Sequence, residues 1–182
     1  MGHRARHRAR RRVGTPLGVR SFVPSVRRLV LLISVLIALD QISKSWAVAS
    51  LDDGHTIDVV WTLRFALGFN SGIAFSQAQG LGPVVGIIAL AAVVFLVRNM
   101  MKATHPLTSY GLAGIVAGAI GNISDRVFRG DGWLHGKVVD FIDFQWFPIF
   151  NIADSCITIG AVTVLLGLFA EQSHARKDAS AS

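Results

Sequence analysis

Residues Val138–Ile157 read VVDFIDFQWFPIFNIADSCI. Two acids, Asp140 and Asp154, each stand in an apolar run with the look of a membrane edge. Asp140 lies between Val138-Val139 and Phe141-Ile142, and its one basic neighbour in sequence is Lys137. An ionisable group in or near hydrocarbon costs several kcal/mol unless it is paired or hydrated, so its default reading is functional. Two carboxyls held a few Å apart share one proton, because both cannot ionise together. Such a pair can activate water at one group and donate a proton from the other. The expectation is that the rest of the chain brings these two side chains together at the outer face of a bilayer.

The composition supports a membrane setting. Of 182 residues, 52% are hydrophobic and only 16% are charged, against about 25% charged in ordinary soluble domains. The length allows one domain. The net charge of +7 is unevenly spread: nine of the eighteen basic residues fall in the first 28 positions, from Arg4 to Arg28, with no acid among them. Residues 1–27 therefore read as a disordered basic arm on the cytoplasmic surface, attracted to anionic lipid at about 1 kcal/mol per basic residue. No aromatic residue is interleaved among Arg4–Arg12, and the arm's one aromatic is Phe22, so nucleic acid is not the expected partner. The single cysteine, Cys156, excludes an internal disulfide framework and reads as a small packing residue.

Four apolar spans follow, each near the roughly 20 residues that a bilayer requires. They are Leu29–Trp46, Leu81–Val97, Leu107–Ile123 and Phe150–Phe169. The third is rich in Gly and Ala, which let helix backbones approach closely in lipid. Between the first two spans, Ala49–Phe69 reads as short strands outside the membrane, and Phe128–Lys137 reads as a glycine-rich loop. The fold class expected is an all-α polytopic membrane protein, four transmembrane helices with a small extracytoplasmic β-cradle. Its membrane domain occupies residues 28–170, and residues 171–182 form a polar, disordered tail. The basic arm, the Arg98–Lys102 turn and the Arg176-Lys177 tail alternate with acid-rich segments, so both termini are expected to be cytoplasmic. A competing reading of the N-terminus is a cleaved signal peptide with Ala47-Val48-Ala49 as the cleavage site. Asp40 and Lys44 argue against it, because their i,i+4 spacing places them on one helix face, as in a helix that stays.

The polar residues of the spans gather at one level: Asp40 and Lys44, Asn70, Asn122 with Asp125 and Arg126, Asp140, and Asn151 with Asp154. A proton relay would scatter them through the midplane instead. Several have plain structural roles open to them. Asp125-Arg126 can cap a helix end as an ion pair, Asn151 can N-cap a helix or orient a carboxylate, and Asp143 can be a water-facing loop acid. Asp140 and Asp154 have no such inexpensive solvated explanation. His3 and His7 in the arm, and His105 and Ser109 at the start of the third span, are each four residues apart but have no acid near them in sequence, so neither pair reads as a zinc site or a serine–histidine couple, and no phosphate-binding glycine loop is present.

Five short motifs carry a family likeness. They are Asp40-Gln41-Ile42-Ser43-Lys44, Asn70-Ser71-Gly72-Ile73-Ala74-Phe75, Gly121-Asn122-Ile123-Ser124-Asp125-Arg126, Val138-Val139-Asp140-Phe141 and Phe150-Asn151-Ile152-Ala153-Asp154-Ser155. In content and order they resemble the bacterial lipoprotein signal peptidases (signal peptidase II), aspartic peptidases of the inner membrane, over about residues 28–170. The resemblance implies that Asp140 and Asp154 are the catalytic pair. It implies that Asn122, Asp125, Arg126 and Asn151 support the pair and the substrate backbone, and that Asp40, Lys44, Asn70 and Gly72 shape the site and its outer cradle. It further implies a prolipoprotein substrate cut just before a cysteine carrying diacylglycerol, at the outer leaflet, with membrane lipid as the surrounding partner and no metal or organic cofactor. The chain is expected to act as a monomer. Two readings of other classes compete: a small transporter or channel subunit with an acid-lined outer vestibule, and a non-catalytic membrane scaffold.

Overall fold

A computed structural model of the chain describes residues 23–71 and 82–181. Its elements run α1 (Val26–Leu51), β1 (Ile57–Val60), β2 (Leu63–Asn70), α2 (Gly82–Met100), α3 (Pro106–Phe128), β3 (Val138–Asp143) and α4 (Ile152–Ala181). The basic arm through residue 22, and Gly72 with the Ile73-Ala74-Phe75 that follows it, lie outside the described residues.

Helix α3 is the axis of the bundle, and its glycines explain why. Gly111, Gly114 and Gly118 present backbone to α4: a Cβ on Gly111 would come within 2.7 Å of the Gly160 carbonyl oxygen, and one on Gly118 would collide with the Ala153 carbonyl. Gly121, one turn on, faces Asp40 of α1. Small residues at these positions let the helices meet backbone to backbone, which is the usual means of packing apolar helices in lipid. Helices α2, α3 and α4 contain stretches long and apolar enough to cross a membrane: Pro83–Met100, Pro106–Phe128 and Ile152–Lys177. On the outside of the bundle, Ile87, Ile88 and Val94 of α2 and Ile159, Leu165 and Leu166 of α4 are exposed, as lipid-facing residues are. Helix α1 shows the same apolar exterior at Leu31, Val35 and Ile42, while Asp40 and Lys44 on its inner face are buried. The Ala47–Ala49 stretch, open to reading as a cleavage site, lies inside this helix with Ala47 buried.

The strands form one antiparallel sheet in the order β1-β2-β3. It covers the end of the bundle at which α1 finishes and α4 begins. Trp46 of α1 meets Phe65 of β2 edge-on at 5.2 Å, and Phe141 of β3 lies 6.2 Å from both rings. The expected strands of Ala49–Phe69 are thus present, although α1 runs on to Leu51 before the sheet begins. Asp143, read from the sequence as a water-facing loop acid, is instead a strand residue only 4% exposed. It pairs across the sheet with Arg64, whose Nε donates to Oδ2 at 2.7 Å. Where a polar, disordered tail was expected from residue 171, α4 continues to Ala181. Glu171, Gln172, Ala175, Arg176 and Lys177 are all good helix formers.

The loop between α3 and β3 folds back on the bundle. Leu134 takes a left-handed φ of 61° and is fully buried. It fits over Gly86 of α2, where a Cβ would come within 2.8 Å of its methyl group.

Candidate active site

The site is built by how α4 begins. Strand β3 turns back on itself through Phe150, which exchanges backbone hydrogen bonds with Ile142 at 2.8 and 3.1 Å. Phe144 stacks on Phe150 with ring centres 5.9 Å apart and closes the turn. This return places Asn151 at the N-cap of α4, directly beside β3. Asn151 and Asp154 form a reciprocal capping box: the Asp154 N–H donates to Asn151 Oδ1 at 2.9 Å, and the Asn151 N–H donates to Asp154 Oδ2 at 3.3 Å. The third free N–H of this helix start, at Ala153, donates to Asp40 Oδ1 of α1 at 2.9 Å. The orientation of Asp154 is therefore set by helix-capping chemistry and by a contact to α1.

Asn151 also reaches the second acid. Its Nδ2 donates to Asp140 Oδ1 at 2.6 Å, with longer contacts of 3.3 Å to the Val139 carbonyl and to Asn122 Oδ1. Asn122 in turn donates from Nδ2 to Asp154 Oδ1 at 2.8 Å. Asp140 and Asp154, fourteen positions apart in sequence, are thus held by the same asparagine. Across the sheet, Asp140 pairs with Gly68 and Val138 pairs with Asn70, which puts Asn70 and Asp140 on one face as diagonal neighbours. The Asn70 side chain hydrogen-bonds the Asp140 carboxyl from that position.

Asp140 is 4% exposed. Burial, and after it the negative charge of Asp154, push its carboxyl up from 3.8 to about 6. The hydrogen bonds from Asn151 and Asn70 and the positive charge of Lys44 act against the rise. Desolvation and a like charge are the two established means of keeping a carboxylic acid protonated near neutral pH.

Beneath the pair lies a buried ionic cluster. Lys44 is 0% exposed, and its Nζ lies 2.9 Å from each of three acceptors: Asp40 Oδ2, Asp125 Oδ2 and Asn122 Oδ1. An ammonium has three N–H donors, and all three are used. Asp125, also fully buried, accepts from the Val139 backbone N–H at 3.1 Å and from Arg129 Nε at 2.9 Å. Two carboxylates and two cations make the cluster neutral, and the short pairings and added hydrogen bonds offset the cost of taking each charge out of water. Its mechanical effect is to join α1, α3 and β3 immediately below Asp140. Arg126 does not pair with Asp125, as an ion pair at the helix end would require. Its Nη1 donates to the Ser71 carbonyl at 3.3 Å, and its guanidinium feels the charges of Asp125 and Asp140 without a direct ion pair to either.

All the candidate residues except Gly72 are thus gathered at one end of the bundle, in one network. Two further members were absent from the candidate set. Gln41 donates from Nε2 to Asp40 Oδ2, the Gly121 carbonyl and Asp125 Oδ1, at 3.1 to 3.2 Å. Arg129 spans from Asp125 to Ser45 Oγ at 3.2 Å. The signal for each was present in the sequence: Gln41 adjoins Asp40 in the Asp40–Lys44 motif, and Arg129 stands at i+4 from Asp125.

Known proteins resemble this chain in sequence and fold. The family described as Signal peptidase (SPase) II matches residues 32–170. A lipoprotein signal peptidase of Mycobacterium avium (strain 104) is 40% identical over 148 residues, covering 79% of this chain and 81% of that protein. One of Mycobacterium leprae (strain Br4923) is 37% identical over 168 residues, covering 85% and 84%. Among solved structures, a bacterial membrane enzyme determined by the in meso method at 2.3 Å resolution superposes with a TM-score of 0.70 at 29% identity, covering 82% of this chain and 92% of that one. A second, at 1.9 Å resolution, gives 0.69 at 29% identity, covering 79% and 93%. The matched residues run from α1 into α4 and take in both carboxylates and the ionic cluster beneath them, so this chain is a membrane protease of the signal peptidase II family.

Proposed function

We propose that the protein removes the signal peptide from diacylglyceryl-modified prolipoproteins, cutting before the lipidated cysteine, with Asp140 and Asp154 as its acid–base pair. One observation carries this reading: Asn151 holds Asp140 through its side chain and Asp154 through its backbone N–H. Asp140, whose carboxyl is pushed up to about 6, supplies the shared proton. Asp154, oriented by Asn122 and the capping box, takes a proton from water. The water attacks the scissile carbonyl, and the Asp140 proton stabilises the oxygen that gains charge. The leaving amine then takes a proton from the pair, which returns to its starting state. Each such proton transfer is worth about 10²–10⁴-fold in rate.

In this reading α1 crosses the bilayer together with α2, α3 and α4, which makes four spans in the cytoplasmic membrane with both termini inside. The sheet then lies at the outer surface, the substrate's acyl chains stay in lipid, and water reaches the pair from outside. The chain works as a monomer, since the network that holds the pair is complete within one copy. The test is incubation of the detergent-purified protein with a diacylated prolipoprotein peptide. Wild type is expected to release the signal peptide, and Asp140→Asn and Asp154→Asn to release none while remaining inserted. Normal cleavage by either variant overturns the assignment of the pair.

A further inference from the structure

Helix α2 is secured at the end of the bundle away from the site, where Leu96 and Met100 meet Leu29 of α1 and Leu112 and Ala113 of α3 in one buried cluster. Toward the site its surface turns outward, with Val84, Ile87 and Ile88 all exposed. One side chain fastens it there. Leu134, fully buried, seats on Gly86, and a Cβ on that glycine would stand 2.8 and 2.9 Å from the two Leu134 methyls. Leu134 holds this seat in a strained conformation. Its φ of 61° lies in the left-handed region, which a bulky side chain keeps only when its surroundings over-determine it.

The loop that carries Leu134 closes on itself. Its two ends touch, since a Cβ on Gly130 would come within 2.6 Å of the Gly136 Cα. The His135 N–H donates to the Gly132 carbonyl at 3.1 Å, and the Gly136 N–H donates to the Arg126 carbonyl at 2.9 Å. A compact loop whose ends meet and whose own side chain packs inward is a rigid piece. Its base bears on the site. Gly136 lies against the Asp125–Arg126 peptide, where a Cβ would collide with the Asp125 carbonyl. From that turn Arg126 Nη1 donates to the Ser71 carbonyl at 3.3 Å. Ser71 directly follows Asn70, whose side chain hydrogen-bonds the Asp140 carboxyl. The Arg126 turn thus holds the chain where β2 ends and, through Leu134, where α2 begins.

We propose that Leu134 is a positioning residue for cleavage: seated on Gly86, it fixes the near end of α2 against the Arg126 turn and so keeps Asn70 on the Asp140 carboxyl. The inference rests on the peptidase reading given above. With Leu134 unseated, the near end of α2 is free to shift against Ser71, and the Asn70 hydrogen bond, which holds the Asp140 carboxyl down, weakens. The charged groups that face Asp140 from other elements stand on contacts that do not involve α2. They are Lys44 of α1, paired with Asp40 and Asp125, Arg126 of α3, and Asp154 of α4. Asp143, the other acid of β3, stays paired with Arg64. Unseating Leu134 therefore acts on Asp140 through Asn70, and it moves the alkaline limb of cleavage, where Asp140 loses its proton, to higher pH.

The test is kcat/KM against pH for the full-length protein with the diacylated prolipoprotein peptide, alongside thermal unfolding in the same detergent. Leu134→Met keeps an apolar side chain of similar volume and is expected to match wild type. Leu134→Asn takes a left-handed φ readily but brings no apolar side chain to the seat. It and Leu134→Ala are expected to lower kcat/KM at its optimum about tenfold, short of the 10²-fold of a full 1 Å displacement. Both should move the alkaline limb up by about one pH unit, the worth of part of a hydrogen bond to a charged group. Gly86→Ala drives a methyl into Leu134 and should lower the melting point, and adding Leu134→Ala should recover part of that loss. An alkaline limb that stays in place in both Leu134→Asn and Leu134→Ala, even with a lowered melting point, shows that Leu134 serves folding alone and overturns the inference. A double variant no more stable than Gly86→Ala overturns the seat itself. No cleavage by wild type overturns the peptidase reading and with it the role in cleavage, whereas a cleaving wild type with an unmoved limb in both variants overturns this inference alone.

Discussion

Replacing Asp140 by Asn should abolish cleavage and at the same time stabilise the protein, in a way that depends on pH. The Asp140 carboxyl is pushed up from 3.8 to about 6 in the folded chain by burial and the charge of Asp154. Between those values the folded state binds more protons at this site than the unfolded state does, so stability falls as pH rises through the window. Below pH 3.8 the carboxyl is neutral in both states and costs nothing; above about pH 6 the full penalty is present. At about 1.36 kcal/mol per pH unit the shift corresponds to at most about 3 kcal/mol. Screening by water entering the site reduces this to roughly 1–2 kcal/mol. An asparagine keeps the oxygen that accepts from Asn151 Nδ2 and sheds the charge. For a chain of this size, that is an apparent melting point higher by roughly 3–6 °C above pH 7. The assay is thermal unfolding of wild type and Asp140→Asn in one detergent from pH 4 to pH 8. The two curves should converge near pH 4 and separate as pH rises. A constant gap across that range, or a wild type more stable than the variant at pH 7.5, would refute the account of burial and charge at this carboxyl.

Three further outcomes follow from the geometry. Asp154→Asn removes the second-largest cause of the rise at Asp140 while leaving burial, the largest, in place; the pH window of stability should contract toward 3.8, and an unchanged melting profile against pH would show that the carboxyls do not sense each other. Lys44→Met leaves Asp40 and Asp125 buried without their common cation, at a cost of about 3–5 kcal/mol; a steep loss of folded protein in detergent is expected, and near wild-type thermal stability counts against the cluster. Gly118→Ala drives a methyl into the Ala153 carbonyl and shifts the start of α4 that carries Asp154. A cleavage loss of about 10²-fold is expected, the usual consequence of displacing a reacting group by about 1 Å. Gly114→Ala, whose methyl meets the Cys156 carbonyl at 3.3 Å, serves as the mild control.

Much of this was legible in the chain. Helix α2 and the middle stretches of α3 and α4 are long apolar runs, and a backbone in lipid can satisfy its hydrogen bonds only as a helix or closed barrel, so hydropathy specifies them directly. Asp40, Lys44, Asp140 and Asp154 stand out because charge among apolar neighbours is costly wherever the chain places it. The glycines of α3 marked the face on which another helix must lie. Less legible was Val138–Asp143, whose apolar run could belong equally to a strand or a buried helix; pairing with β2 settles it as the strand that carries Asp140. The α4 tail misled because helix propensity there outweighs polarity.

What local sequence could not contain is the set of partners. That Lys44 holds Asp125 and Asn122 as well as its i,i+4 neighbour Asp40, that Asp143 answers Arg64 across the sheet, and that Asp40 caps a helix 113 residues away are outcomes of packing. Sequence spacing governs contacts within one helix, whereas contacts between elements depend on crossing angles and strand register that no single segment encodes. The residue types dictated a membrane chain with costly acids at one level. Only the meeting of α1, α3, β3 and the start of α4 made one asparagine the common support of two carboxyls, because that contact exists only once all four elements have packed.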